Sequence, residues 1–220
     1  MTAKKAANPS ARPAGRAERR PAKPPAPTAG KRPGKAAILR AAVEVMGEDG
    51  YEGASTRDMA ARAGVSVAAM YHHFPSKLGL LREFLDEAYD VTMARIERRL
   101  DGVDDPVERL ESVVATLIWT HLHDEFAQRA STVAFREYTR LDAPDRAAIE
   151  VKRTALLDLV EGVVRAGIAT GEFGTDEPRE TARAIVTLAT SLVGLHVEMH
   201  RSLDEITALY QRFAVTLARG

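Results

Sequence analysis

One stretch constrains this chain more than any other, residues 56–77, TRDMAARAGVSVAAMYHHFPSK. It reads as two short helices around a tight turn, followed by the start of a third. Ser55 or Thr56 can cap the first helix, and Met59, Ala60 and Ala63 fall on one face of it. Gly64 stops the run, because glycine takes the left-handed conformation that ends a helix. Val65 is an apolar plug in the turn. Ser66 can cap a second helix, Val67 to His73, whose Met70 turns inward together with Phe74. This is a helix-turn-helix pattern, in which the second helix lies in the DNA major groove.

The flanking sequence supports that unit. Ile38, Leu39, Ala42, Val43 and Met46 recur at helical spacing between Lys35 and Asp49, and Gly50 ends that helix with Tyr51 packed over its end. Pro75 stops the second helix of the motif. Ser76 restarts the chain as a long helix to about Leu100, with Leu78, Leu81, Leu85, Ala88, Thr92 and Ile96 on one side. A helix N-terminus beside Lys77 attracts phosphate through free N–H groups and through charge. Beyond a loop at 101–105, helical patterns run from Pro106 to His121, Asp124 to Leu141, Pro144 to Thr170, Pro178 to His200 and Leu203 to Ala218. Ser202 and Glu205 form a capping box for the last of these. The expected fold is all-α, with about nine helices. Residues 1–33 are a basic arm, 34–81 the DNA-binding domain and 82–220 a helical domain, to which the resemblance described below assigns ligand binding and dimerisation.

Composition narrows the function. The 220 residues have a formal net charge of zero, which hides a polarity. Residues 1–34 hold nine basic side chains against Glu18 alone, so the remainder is acidic by eight charges. Residues 1–33 also carry seven of the eleven prolines and few large apolar side chains, a composition expected to stay disordered. Such an arm either follows the DNA backbone or serves as a solubilising tail. No run is apolar enough to span a bilayer, and the first residues lack the apolar core of a signal peptide, so a cytoplasmic protein is expected. Cysteine is absent. With no nucleophile motif, phosphate loop or metal triad either, an enzyme is not expected, and no cofactor. A helical protein-interaction module is the competing class, and salt-dependent DNA affinity separates the two.

Residues 35–81 resemble the TetR family of bacterial transcriptional regulators. The residues that carry the resemblance are Ile38-Leu39-Arg40-Ala41-Ala42, Gly50-Tyr51, Ala54 to Ala60, Ala63-Gly64-Val65-Ser66 and Met70 to Lys77. Two departures stand out. Val67-Ala68-Ala69 fills positions where many members have glycine or a hydroxyl residue, and Leu78-Gly79 follows Lys77 where an acidic residue is usual. The resemblance implies a homodimer on a near-palindromic operator, with one recognition helix per half-site and a small-molecule effector in the C-terminal domain. It leaves repression and activation both open. Phe135-Arg136-Glu137 through Arg153, then Gly167 to Phe173, is faintly similar to members that respond to fatty or steroid acyl-CoA.

Carried onto this chain, Thr56, Ser66, Tyr71 and Lys77 are candidate phosphate contacts, and Arg57 suits phosphate or base. Val67, Ala68 and Ala69 can only meet thymine methyls or exclude bulk, so His72 is the recognition-helix side chain best able to hydrogen-bond a base edge. His73 is expected to pack or cap. Candidate pocket residues are Met93, Trp119, Phe126, Phe135, Arg136 and Tyr138, with plain core packing as the alternative for each; Trp119 stands out for its N–H. Arg136, Arg140 and Arg153 are candidates for the phosphates of an acyl-CoA. The dimer interface is expected from Ile185, Leu188, Leu192, Leu195, Met199, Ile206, Leu209, Tyr210 and Phe213, unless those faces close the core of the monomer. The histidine pairs 121/123 and 196/200 have spacings able to hold a metal, but the second lacks the glutamate of the zinc-protease motif.

Overall fold

A computed structural model describes residues 34–192 and 200–220. The basic arm, Leu195, His196 and Met199 lie outside the described residues. Nine α-helices and no strand occur among the described residues: α1 Lys35–Gly53, α2 Thr56–Arg62, α3 Val67–His73, α4 Lys77–Leu100, α5 Pro106–Leu122, α6 Glu125–Glu137, α7 Ala143–Thr170, α8 Pro178–Thr190 and α9 Leu203–Arg219. A 3-10 turn, Tyr138–Arg140, joins α6 to α7. No helix among these residues is long and apolar enough to cross a membrane.

Most helix starts are set by side-chain caps, those of α1 and α8 excepted. Asp105, Asp124 and Asp142 accept hydrogen bonds from the backbone N–H of Glu108, Ala127 and Asp145 at 2.7, 2.7 and 2.9 Å. Each satisfies an amide that the helix leaves unpaired. The Ser202–Glu205 capping box is present in both directions. Two expected spans are shorter than their periodicity suggests. The helix expected to run to Leu141 tightens into the 3-10 turn after Glu137. The helix expected from Pro178 to His200 ends at Thr190. There the Thr190 and Ser191 hydroxyls donate back to the carbonyls of Val186 and Leu188, at 2.8 and 3.4 Å, and so draw on acceptors of the last turn.

Two hydrophobic cores organise the helices. The larger is built from α4, α5, α7, α8 and α9, with Ile96, Leu110, Leu117, Ile118, Val160, Val164, Ile185 and Ile206 buried. The other joins α1, α2, α3 and the first half of α4 through Ile38, Met46, Met59, Met70, Phe74, Leu81 and Leu85. It also takes in Val133, Leu141 and Ile149 from the α6–α7 region. The helix-turn-helix unit therefore shares its core with the body. Polar ties reinforce the join. Lys152 on α7 reaches Asp86 and Asp90 on α4 at 2.8 and 2.6 Å, and Arg129 on α6 reaches Glu48 on α1 at 3.1 Å.

At the end of α7, Gly171 takes the left-handed conformation (φ 82°) and turns the chain back. The N–H groups of Glu172 and Phe173 both donate to Gly167 O, and the buried Phe173 ring lies against Gly167. A β-carbon at Gly167 would meet that ring at 2.1 Å. Gly167→Ala is expected to destabilise the protein by about 1–3 kcal/mol, as overpacking does. Urea unfolding measures it, and in a Phe173→Ala background the same substitution is expected to cost less, because the ring it meets is gone.

His121 faces inward, its Nδ1 2.6 Å from Ser131 Oγ. Burial pushes its imidazole down from 6.5 to about 4. Between those values the unfolded chain takes up a proton that the folded chain refuses, so stability falls as pH drops from about 6.5 to about 4. His121→Gln is expected to flatten that fall, read as the melting temperature at pH 7, 5.5 and 4.5.

Candidate DNA-binding interface

The interface is assembled from three successive caps. Ser55, not Thr56, caps α2: its Oγ accepts from Asp58 N–H at 3.1 Å and lies 2.5 Å from Asp58 Oδ2. Thr56 is left as the first helical residue, half-buried. Gly64 at φ 68° makes the turn, and Val65 N–H reaches back to Ala60 O at 2.9 Å. Ser66 then caps α3 through Ala69 N–H at 3.1 Å, and Ser76 caps α4 through Gly79 N–H at 2.9 Å. Gly79 thus lies at the third helical position of α4, against the capping hydroxyl, where its low helix propensity matters less than in a helix interior.

Among the residues of α3 only Met70 is buried. Val67, Ala68, Ala69, Tyr71, His72 and His73 are exposed, Val67 to 36% and Tyr71 to 42%. The expected packing of His73 is not found as burial. Its ring lies beside those of His72 and Phe74, edge to face with the first and tilted to the second, with centroids 5.7 and 6.4 Å away. Arg57 and Ser66 are exposed on the same unit. The candidate DNA contacts thus lie on α2, α3 and the turns beside them, above a buried floor of Met59, Ala60, Met70 and Phe74.

Lys77 behaves differently from the rest. Its ammonium sits 4.3 Å from the centre of the Tyr51 ring, and the Arg140 guanidinium lies 5.0 Å from the same ring. Burial lowers the Lys77 ammonium below its usual range, the Glu52 and Glu137 carboxylates oppose that, and Arg140 adds to it. No local sequence signal points to this cluster, because Glu52 and Arg140 are 88 residues apart.

The pocket candidates do not come together. Phe135 is 86% exposed and Arg136 is exposed beside it. Trp119 is 41% exposed: its ring stacks on His123 at 3.8 Å and carries the Arg95 guanidinium at 4.2 Å. Phe126 packs under Arg40 of α1 at 4.2 Å. The Tyr138 hydroxyl donates to Glu150, and Arg153 covers its ring at 5.3 Å. Of the six, only Met93 packs against the core of the body. The reason is amphipathicity. The Trp119 and Phe126 rings each carry a cation over one face at the protein surface, a pattern that helical spacing does not separate from an inward-facing ring. Among the arginines considered for phosphate, Arg140 pairs with Glu137 and Glu52, and Arg153 pairs with Glu150 at 2.8 Å.

The dimer candidates divide. Ile185, Leu192 and Ile206 are buried in the protomer's own core, so the expectation that they face a second copy is corrected. Leu188, Leu209 and Tyr210 are half-buried, and Phe213 and Leu217 are 45% and 40% exposed. Leu195 and Met199 lie outside the described residues. His121 is half-buried beside Ser131, whereas His123 is exposed and stacks on Trp119. Among the described residues no group of three or more potential ligands could hold a metal ion.

Comparison with known proteins agrees with this geometry. Residues 38–84 match the family model described as bacterial regulatory proteins, tetR family, and residues 103–194 match the tetracyclin repressor-like C-terminal domain. The HTH-type transcriptional regulator UidR of Escherichia coli (strain K12) is 26% identical over 144 residues, 66% of this chain and 71% of that one. A regulatory protein in the tetR family from Rhodococcus RHA1 superposes with a TM-score of 0.76 at 24% identity, covering 84% of this chain and 96% of that one. AibR, solved in complex with isovaleryl coenzyme A and operator DNA, superposes with a TM-score of 0.71 at 20% identity, covering 84% and 98%. With its helix-turn-helix and its helical C-terminal domain each matched in turn, the chain belongs to the TetR family of transcriptional regulators.

Proposed function

We propose that this protein is a ligand-responsive repressor that binds a near-palindromic operator as a homodimer, with one α3 in each of two successive major grooves about 34–36 Å apart. The observation that carries the reading is the outer face of α3. It presents Val67, Ala68, Ala69, Tyr71 and His72 to solvent over a floor formed by Met70 and Phe74. An exposed apolar stripe on a helix held this firmly fits a complementary apolar surface, and thymine methyls provide one. Thr56, Ser66, Tyr71 and Lys77 serve as phosphate contacts, Arg57 as a phosphate or base contact, and His72 as the hydrogen-bonding reader. DNA shape supplies the rest of the specificity. The second copy docks on the face of α8 and α9 that carries Leu188, Leu209, Tyr210 and Phe213. The effector is an apolar or acyl-CoA-like molecule bound in the helical body, a class supported by the isovaleryl coenzyme A in the AibR structure.

The operator is obtained by selecting duplexes from random sequence with the full-length protein. Replacing thymine by uracil along it removes the methyl groups without changing the pairing. Wild type is expected to lose several-fold in affinity at the positions under Val67 and Ala68, and Val67→Ala to lose less there. Binding that is indifferent to uracil at every position rejects apolar readout. His72→Ala is expected to relax base preference at one position by about 1–3 kcal/mol. For the dimer, Leu209→Glu/Phe213→Glu is expected to sediment as a folded monomer with reduced operator affinity, whereas Ile206→Glu is expected to unfold the protomer. Release of the operator by a panel of acyl-CoAs tests the effector class.

A further inference from the structure

The cluster around Tyr51 joins the DNA-facing unit to the body by charge. Gly50 interrupts α1 at φ 71°, and Tyr51 follows it into the junction between α1, the start of α4 and the 3-10 turn. Lys77 approaches the ring from α4 and Arg140 from the 3-10 turn. The guanidinium of Arg140 is engaged twice more, through Nε with Glu137 and through Nη1 with Glu52. Glu137 is nearly buried and Glu52 is open to solvent. Two carboxylates and two cations thus surround one ring, and one cation, Arg140, is paired with both carboxylates.

We infer that Arg140, from the body of the protein, is a positioning residue for DNA binding: it occupies Glu52 and Glu137 so that the Lys77 ammonium remains at the start of α4, available to a backbone phosphate. The inference rests on the phosphate role proposed above for Lys77. Its physical basis is competition. Without the guanidinium, the Glu137 carboxylate is a poorly solvated charge with no partner, a costly state that recruits the nearest cation. Lys77 is already on the same ring. Loss of Arg140 therefore converts Lys77 from a DNA contact into an internal counter-ion. The DNA contact depends on a residue of the body as well as on the course of α4.

The readout is the salt dependence of binding to the duplex selected by wild type, measured by fluorescence anisotropy on the full-length protein. Each phosphate contact adds about 0.9 to the slope of log K against log[salt]. Lys77→Met is expected to reduce the slope by about that amount per subunit. Arg140→Met is expected to reduce it equally, with no further loss in Arg140→Met/Lys77→Met, and Arg140→Lys is expected to restore part of it. In Arg140→Met/Glu52→Gln/Glu137→Gln the competing carboxylates are gone, and the slope is expected to return to the wild-type value. That recovery is the discriminating result, because a residue needed only for folding would not be rescued by removing two more charges. This triple variant also avoids an unpaired buried carboxylate should Arg140→Met alone fold poorly. An unchanged slope in Arg140→Met beside a reduced one in Lys77→Met overturns the inference and leaves the DNA reading intact, and a triple variant that stays at the Lys77→Met value also overturns it. An unchanged slope in Lys77→Met removes the Lys77 phosphate contact and the inference with it.

Discussion

The recognition helix is seven residues long, too short to be stable in water by itself. Met70 is its buried anchor, with Phe74 just beyond its last turn and a serine cap at its start. Burying a side chain of that size stabilises by roughly 1.5–3 kcal/mol, and the cap adds about 1 kcal/mol. Those few kilocalories, with the packing of α1 and α4 beneath, fix the direction in which Val67, Ala68, Ala69, Tyr71 and His72 point. The exposed face can therefore be apolar without collapsing inward, because the inward positions are already filled.

The same core ties the two parts of the protein together. Val133, Leu141 and Ile149 belong to the body by sequence but pack with Ile38, Met59 and Leu81. Around that seam lie Arg129 with Glu48, Arg40 over Phe126, and Arg140 with Glu52 and Tyr51. A displacement of α6 or of the 3-10 turn is then felt by α1 directly and does not have to travel the length of α4. Close-packed interfaces favour discrete arrangements over gradual deformation, which is the property a ligand-driven switch requires.

The helix-turn-helix was legible because its signals are local. Ser55, Gly64, Ser66 and Ser76 act within three or four residues of where they stand, and each takes the capping or turning role that its chemistry suggests. The expected pocket was not legible, because helical spacing tells which residues share a face and not what that face meets. Trp119 and Phe126 lie under arginines from other helices, and Phe135 lies in water. Ile185 and Ile206 have the same apolar character as Leu209 and Phe213, yet the first pair is inside the protomer and the second is not.

By itself, then, the sequence determined the family, the all-helical class, the position of the recognition helix and the polarity of its outer face. Capping, glycine conformation and apolar period are properties of neighbouring residues, and they act before any long-range contact forms. Only the tertiary structure decided that the body lends three side chains to the DNA-binding core, that His121 is half-buried beside Ser131, and that Lys77, Tyr51 and Arg140 meet with two carboxylates. Those juxtapositions depend on how helices distant in the chain cross one another, and the crossing is set by the summed packing of all of them.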